Sequence, residues 1–154
     1  MGFDLYGRKA KNEKGKYFRN NVWWWRPLAC YVLNNVELPK AQQDWFMNNN
    51  CQISKLSSEK IAKEMQKLVD NGKAAKYEKE YMAGLKKMKK VKCNICAGIG
   101  KRKDAPEIGA GKIKCNGCSG TGKTEPFAKH YPFSVENLKE FIEFAENSGG
   151  FGIC

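Results

Sequence analysis

The sequence predicts an α+β fold: a small, mainly helical domain with a short N-terminal β segment and an inserted β-hairpin module. Three observations predict it. Aromatic and β-branched runs separated by glycines occupy the first 26 residues. Stretches with apolar residues at helical spacing fill most of the centre and the C-terminal part. Between the central and the C-terminal helical stretches, two copies of one cysteine motif form a glycine-rich, basic segment.

The N-terminal elements are expected to be short. Aromatic and β-branched enrichment predicts two strands, over residues 17–19 and 22–25. Proline has helical φ and no N–H, so Pro27 suits the first position of a helix. Pro39 is expected to open a second short helical stretch, which contains residues 45–47.

The central and C-terminal parts predict three amphipathic helices. Ser57 is a candidate N-cap for the first, which the Asn71-Gly72 pair ends. The second is expected over residues 73–90, with a lysine- and glutamate-rich outer face, and it leads into the cysteine segment. Ser134 caps the third, and an apolar tail follows it that should pack against the body. The buried stripe of this last helix is expected to be Val135, Leu138, Phe141, Ile142 and Ala145.

Two copies of Cys-x-x-Cys-x-Gly-x-Gly place cysteines at Cys93, Cys96, Cys115 and Cys118. Each Cys-x-x-Cys turn presents two sulfurs to one metal, and the glycines let backbone N–H groups point at those sulfurs. A hairpin across the 18 intervening residues would bring the pairs together. Four thiolates without an open position predict one structural zinc ion, so the inserted module is expected to be a zinc-binding β-hairpin. Redox-active or free cysteine pairs are the alternative.

Both motif copies resemble the cysteine-rich zinc domain of DnaJ-type (Hsp40) co-chaperones, whose repeat is Cys-x-x-Cys-x-Gly-x-Gly. The resemblance covers residues 93–122. That family carries four repeats and binds two zinc ions, whereas this chain has two repeats, enough for one ion. The His-Pro-Asp motif of the J-domain is absent from the sequence, so stimulation of Hsp70 is not expected. Single-zinc relatives of the module bind a partner protein or RNA-binding assembly, which implies a binding role.

The ends of the chain carry a second resemblance. Residues 2–7, 17–28 and 148–151 are similar to the ends of an uncharacterised family of small bacterial and phage proteins. In that family the ends enclose a variable middle, which implies one domain built from both termini. We therefore expect an α+β body of residues 1–90 plus 125–154, and an inserted DnaJ-like zinc module of residues 91–124.

The positive charge is concentrated around the cysteine motifs. Of a net charge of +12, residues 84–124 hold +9, from eleven basic and two acidic side chains. Such a concentration is typical of proteins with an anionic partner. A solubilising face, or partial balance of the metal thiolates, is the alternative. The residues expected to contact nucleic acid or a partner are Lys86, Lys87, Lys89, Lys90, Lys101, Arg102 and Lys103.

These features predict a small basic zinc-binding protein that binds nucleic acid or a nucleoprotein complex. The alternative is a protein-partner adaptor or inhibitor that uses the zinc module as a rigid recognition surface. A third interpretation has Trp24 and Arg26 bind a nucleotide-like small molecule, although the tryptophan run also suits a core. Ser, His and Asp form no recognisable catalytic arrangement, so no catalytic residue is predicted and the sequence favours a non-enzymatic role.

Cysteine usage and the N-terminus predict the compartment. An odd number of cysteines, four of them in tight pairs, indicates reducing conditions. The N-terminus lacks the pattern of a signal peptide, and no apolar run approaches the length of a membrane span. We therefore expect a cytoplasmic protein, in the host cytoplasm if phage-encoded, with no membrane partner.

Overall fold

The computed structural model describes residues 2–47 and 49–154, and it confirms the α+β class. Within these ranges the helices are α1 (Val22–Asn35), α2 (Lys55–Asp70), α3 (Lys73–Lys87) and α4 (Val135–Asn147). The strands are β1 (Gly2–Gly7), β2 (Tyr17–Asn21), β3 (Cys51–Ile53), β4 (Val91–Lys92), β5 (Lys101–Arg102), β6 (Ile113–Lys114), β7 (Lys123–Thr124) and β8 (Phe151–Ile153). Short 3-10 helices span Glu13–Gly15, Lys40–Gln42 and Phe127–His130.

The chain divides into two compact units. The first, the body, consists of Met1–Ala83 and Tyr131–Cys154. The second, the cysteine unit, consists of Gly84–His130. Among the described residues, no helix is both long enough and apolar enough to cross a membrane.

The sheet of the body has the strand order β2-β1-β8-β3, and all neighbouring strands are antiparallel. Leu5 on β1 lies opposite Phe18 on β2 and Ile153 on β8, and all three side chains are buried. Because side chains alternate between the two faces of a strand, Tyr6 and Tyr17 occupy the other face and are exposed. The C-terminal tail, expected only to pack against the body, is therefore an inner strand of the sheet.

The core of the body is built around stacked aromatic rings. Trp25 on α1 is fully buried, with its ring centroid 5.5 Å from that of Phe3 and 5.7 Å from that of Trp45. Its indole N–H donates a hydrogen bond of 2.7 Å to the Trp45 carbonyl oxygen. Phe141 of α4 meets both tryptophans edge-on, at 6.1 and 5.9 Å. The tryptophan run therefore contributes to the core, as the alternative interpretation held.

The predicted strand over residues 22–25 is wrong, because these residues form the first turn of α1. The Asn21 side chain accepts hydrogen bonds from the backbone N–H groups of Trp23 and Trp24, at 3.0 and 3.1 Å. This N-cap starts the helix one residue after β2 ends and outweighs the strand preference of the aromatic run. Pro27 therefore lies inside α1 rather than at its first position.

Other element boundaries differ by smaller amounts. The stretch after Pro39 forms only a single 3-10 turn, Lys40–Gln42, and residues 45–47 are not helical. The N-cap of α2 is Ser54 rather than Ser57, since the Ser54 hydroxyl accepts from the Ser57 N–H at 3.2 Å. The end of α2 at the Asn71-Gly72 pair and the Ser134 cap of α4 are confirmed.

Candidate metal centre

The sulfur atoms of Cys93, Cys96, Cys115 and Cys118 form one buried cluster, with all four within 4.8 Å of one another. The Cys93 and Cys115 sulfurs lie 3.9 Å apart, and those of Cys96 and Cys118 lie 3.7 Å apart. Four sulfurs at about 2.3 Å from a tetrahedral zinc ion are separated by about 3.8 Å. The four cysteines predicted from the motif spacing therefore come together with the separations that a metal ion requires.

A 22-residue repeat builds this cluster twice. In the first copy β4 leads into Cys93 and β5 follows Gly100; in the second, β6 leads into Cys115 and β7 follows Gly122. The copies pair with each other, because β4 is hydrogen-bonded to β7 and β5 to β6. The structure thus has two short two-stranded ribbons, one of β4 and β7 and the other of β5 and β6, where a hairpin was predicted.

Reciprocal backbone hydrogen bonds hold the two copies together. The Cys93 N–H donates to the Gly122 carbonyl oxygen, and the Cys115 N–H donates to the Gly100 carbonyl oxygen, both at 2.9 Å. Each copy thus gives the other the bond that it receives. Such an exchange is what an approximate twofold axis between the copies requires.

The last glycine of each motif serves both the sulfurs and the packing. The Gly100 N–H donates to the Cys96 sulfur at 3.3 Å, and the Gly122 N–H donates to the Cys118 sulfur at 3.1 Å. Both glycines have positive φ, +82° and +74°. A side chain on Gly100 would collide with the Gly120 carbonyl oxygen, and one on Gly122 with that of Gly98. Glycine is therefore required at both positions.

The sulfur environment sets two thiol pKa values apart. Burial alone would raise the pKa of Cys96, but hydrogen bonds from the Gly100 N–H and from the Cys118 and Cys93 thiols lower it to about 6. Burial raises the pKa of Cys115 to about 11. One thiol is therefore ready to act as a metal ligand at neutral pH, while another gives up its proton only when a cation arrives.

The cysteine ligand set leaves no open coordination position once all four sulfurs bind one ion. A closed site of this kind stabilises a fold and does not present a metal-bound water to a substrate. The described residues place no His, Asp or Glu side chain in this metal-ligand cluster. The arrangement thus fits a structural metal site.

The basic residues predicted to bind nucleic acid or a partner lie in the cysteine unit. Lys86 and Lys87 end α3, Lys89 and Lys90 follow it, and all four are exposed. Lys103 lies 3.2 Å from Glu107, and Lys90 lies 3.9 Å from Glu125.

Lys101 and Arg102 form β5. Arg102 donates to the Lys103 carbonyl oxygen at 2.9 Å, while its Nε atom is buried without a hydrogen-bond partner among the described residues. The predicted basic residues are therefore in different environments, and those without an acidic neighbour are the more available to an anion.

Trp24 and Arg26 lie on α1 and are both exposed. Residues two apart on a helix point in nearly opposite directions. The helix therefore does not bring these two side chains to one face, as a shared ligand site would require. Their ligand-binding role stays a prediction.

Three lysines that were not among the predicted binding residues, Lys92, Lys114 and Lys123, lie on the ribbon strands next to the cysteine motifs. Lys92 lies opposite Lys123 across the β4–β7 ribbon, and Lys114 lies opposite Lys101 across the β5–β6 ribbon. The signal was the 22-residue repeat, which aligns Lys92 with Lys114 and Lys101 with Lys123. Cross-strand pairing appears only once the strand register is known.

No family model, curated protein or solved structure matches this chain. The DnaJ-type resemblance of the cysteine motifs and the resemblance of the two ends therefore rest on the residues quoted for them. The function is best argued from the chemistry of the cysteine unit itself.

Proposed function

We propose that this chain is a small basic zinc-binding protein that binds nucleic acid or a nucleoprotein complex through its cysteine unit. The concentration of charge carries this proposal. Residues 84–130 hold twelve basic and three acidic side chains, a net charge of +9, and the remainder of the chain holds +3. A positive field confined to one small unit is the electrostatic property that phosphate backbones select.

The proposed metal is one structural zinc ion held by Cys93, Cys96, Cys115 and Cys118. The all-sulfur ligand set, the sulfur separations and the resemblance to the DnaJ-type zinc repeat support zinc. A zinc ion with four thiolates carries a charge of about −2, so the cysteine unit would keep roughly +7 when metal is bound. Zinc would therefore fix the backbone that displays the lysines without cancelling their charge.

The lysines at and after the end of α3 provide the simplest phosphate contacts. Lys86, Lys87 and Lys89 are exposed, and none has an ion-pair partner within the ranges that the structure describes. Flexible ammonium groups of this kind neutralise phosphates and read no base sequence. Binding should therefore depend strongly on salt and weakly on sequence.

Salt titration of the full-length, zinc-bound chain tests this function. Anisotropy with labelled DNA and RNA, both single- and double-stranded, should show log affinity falling linearly with log salt concentration. The triple variant K86Q/K87Q/K89Q should lower that slope by about one for each phosphate that is no longer neutralised. The matched variant K9Q/K40Q/K63Q removes three exposed lysines of the body and should leave the slope unchanged. A flat salt response with all four probes contradicts the proposal.

Metal analysis tests the zinc assignment separately. The purified chain should contain one zinc per molecule, and cobalt(II) in its place should give the absorption of a tetrahedral thiolate site. Cys96→Ser and Cys118→Ser should lose the metal. Cys30→Ser, which changes an exposed cysteine on α1, should retain it. A metal-free protein with an intact cysteine unit contradicts the zinc assignment.

A protein partner is the second candidate, and exposed isoleucines on the cysteine unit favour it. Ile99 and Ile108 are 64% and 71% exposed. Apolar side chains displayed on a rigid unit are common at protein–protein interfaces. A partner of this kind should stay bound after nuclease treatment and at high salt, lose affinity with I99N/I108N, and keep it with K86Q/K87Q/K89Q. The opposite pattern would leave nucleic acid as the ligand.

We also propose the cytoplasm as the working compartment, or the host cytoplasm for a phage-encoded chain. The support is chemical, since zinc coordination needs reduced cysteines. An assay of free thiols after denaturation of the native protein under zinc chelation should find every cysteine reduced. Disulfides among Cys93, Cys96, Cys115 and Cys118 would contradict this placement.

A further inference from the structure

Each ribbon of the cysteine unit carries two lysines directly opposite each other. Lys92 faces Lys123 across β4 and β7, and Lys101 faces Lys114 across β5 and β6. Side chains at opposed positions of an antiparallel pair share one face and lie about 5 Å apart at Cβ. Like charges at such positions destabilise the pairing. Both ribbons therefore hold a positive pair that the strands alone would disfavour.

The protein itself does not neutralise these four lysines through side-chain contacts. All four are exposed, and in residues 2–47 and 49–154 none of their ammonium groups has a hydrogen-bond or ion-pair partner. The acids of the cysteine unit are engaged elsewhere, for example Glu107 with Lys103 and Glu125 with Lys129. Two sources of negative charge remain for each pair: an external anion, and the thiolates that would bind the metal.

The repeat makes the two pairs equivalent. Residues 22 apart correspond, so Lys92 corresponds to Lys114 and Lys123 to Lys101. The reciprocal hydrogen bonds between Cys93 and Gly122 and between Cys115 and Gly100 show the same exchange in the backbone. The approximate twofold axis thus maps one lysine pair onto the other.

Exposed glycines lie beside both pairs. A Cβ built on Gly98 would lie 2.8 Å from Lys92 Cγ, and one built on Gly120 would lie 3.1 Å from Lys114 Cε. The two lysine stems therefore run across glycines, which have no side chains and are exposed. The missing side chains leave the space in which the two lysine stems lie against the backbone.

We propose that the pairs Lys92–Lys123 and Lys101–Lys114 are two equivalent phosphate-binding sites, and that their ligand is a double-stranded nucleic acid. This inference rests on the proposed function and specifies its ligand. The two backbones of a duplex run antiparallel and are related by local twofold axes, so a twofold-symmetric pair of sites contacts one phosphate on each strand. A single strand has no such axis and must order its flexible backbone to reach both pairs, so it should bind more weakly than a duplex.

Paired charge removal on the full-length, zinc-bound chain tests the assignment. The probes are a DNA duplex of about 20 base pairs and one of its strands, measured over a range of salt. K92Q/K123Q and K101Q/K114Q should each weaken duplex binding by about five- to tenfold and lower the salt slope by about one. Their effects should match, because the sites are equivalent. K40Q/K63Q is the matched control, because it removes two exposed lysines of the body and should change binding little.

Three results would overturn the assignment while the proposed function stands. Either pair variant could bind the duplex as well as the control does, or the two pair variants could differ clearly in their effects. The third such result is a wild-type chain that binds the single strand as tightly as the duplex. Loss of zinc from the pair variants, measured as metal content, would show that these lysines balance the thiolates and would also overturn it. Absence of binding by the wild-type chain at low salt to all four DNA and RNA probes of the salt titration would overturn the proposed function itself.

Discussion

Different interactions stabilise the interior of the body and the interior of the cysteine unit. The body buries stacked aromatic rings, among them Trp25, Trp45 and Phe141, and its buried polar side chains are neutral: Asn20, Ser57, Ser58 and Ser148. The hydrophobic cluster of the cysteine unit consists of four cysteines with Ile95 packed against them. Its strands are two residues long. Apolar burial accounts for the body. The cysteine unit has reciprocal backbone hydrogen bonds between its two copies and, on the function proposed above, a zinc ion.

This difference explains where the charge can be placed. A unit held by a metal needs few apolar residues, so its surface is free to carry lysines at most positions. A body held by its core must devote one face of every strand and helix to burial. The unit with the smaller apolar cluster therefore carries the larger share of the net charge, +9 against +3.

Removal of zinc should have the largest effect and should separate the two units. Structural zinc sites contribute about 10–16 kcal/mol of apparent binding free energy at neutral pH, so chelation or Cys96→Ser should unfold the cysteine unit. Hydrogen exchange should show reduced amide protection over residues 91–124. All four tryptophans lie in the body, at positions 23, 24, 25 and 45, so the urea transition followed by their fluorescence should not change. A shifted tryptophan transition would contradict independent stabilisation of the two units.

Acidification should weaken the cysteine unit through the same ligands. In the folded cysteine unit, burial raises the Cys115 pKa to about 11, and hydrogen bonds to the Cys96 sulfur lower its pKa to about 6. Between pH 6 and pH 11, zinc must displace the proton of Cys115 in order to bind. This one thiol should therefore lower the zinc affinity about tenfold for each unit by which the pH falls. Below about pH 6 the Cys96 proton adds a further factor of about ten per unit. Competition with a chelator of known protonation measures this slope, and a pH-independent affinity contradicts it.

Truncation of a core ring should affect only the body. Trp25→Ala removes a fully buried side chain together with its hydrogen bond to the Trp45 carbonyl, and should cost about 3–5 kcal/mol of unfolding free energy. Urea denaturation measures the loss, and zinc content should stay at one ion. Trp24→Ala is the matched control, because that ring is 36% exposed and its removal should cost under about 1 kcal/mol. Equal losses at the two positions would contradict the aromatic core.

Alanine at the last motif glycines should affect only the cysteine unit. Gly100→Ala and Gly122→Ala each place a Cβ against a carbonyl oxygen at positive φ, which should cost about 1–3 kcal/mol. Zinc affinity should drop correspondingly, by about 5- to 150-fold, and similarly for both variants. Gly84→Ala is the control, since a Cβ there meets nothing within 4 Å and alanine favours a helix. Unchanged zinc affinity in Gly100→Ala would contradict the close packing of the two copies.

Local patterns predicted local features well. Ser134 and the apolar stripe after it point to the same helix, and α4 begins where they indicate. The cysteine cluster was also predictable, because Cys-x-x-Cys brings two sulfurs together within one turn and the motif occurs twice. In the helix, and within each Cys-x-x-Cys pair, the residues that decide the structure lie within a few positions of one another.

Features that depend on distant partners were not predictable from the pattern. The three-residue strands β3 and β8 exist because they pair with each other and, for β8, with β1, from sequence positions far apart. The opposed lysines required the strand register of the ribbons. Residues 22–25 were assigned to a strand because their composition favours one, while the Asn21 cap and the burial of Trp25 place them in α1.

The cap of α1 should give the smallest effect, and it tests how the body joins strand to helix. Asn21→Ala removes the acceptor for the Trp23 and Trp24 N–H groups and should cost about 1 kcal/mol by urea denaturation. Asn21→Ser keeps a capping oxygen and should lower the unfolding free energy by only a few tenths of a kcal/mol. Zinc content should be unchanged in both, since the cap belongs to the body. If serine destabilises as much as alanine, the asparagine acts through something other than capping, and the helical start of the tryptophan run would need another cause, such as the burial of Trp25 alone.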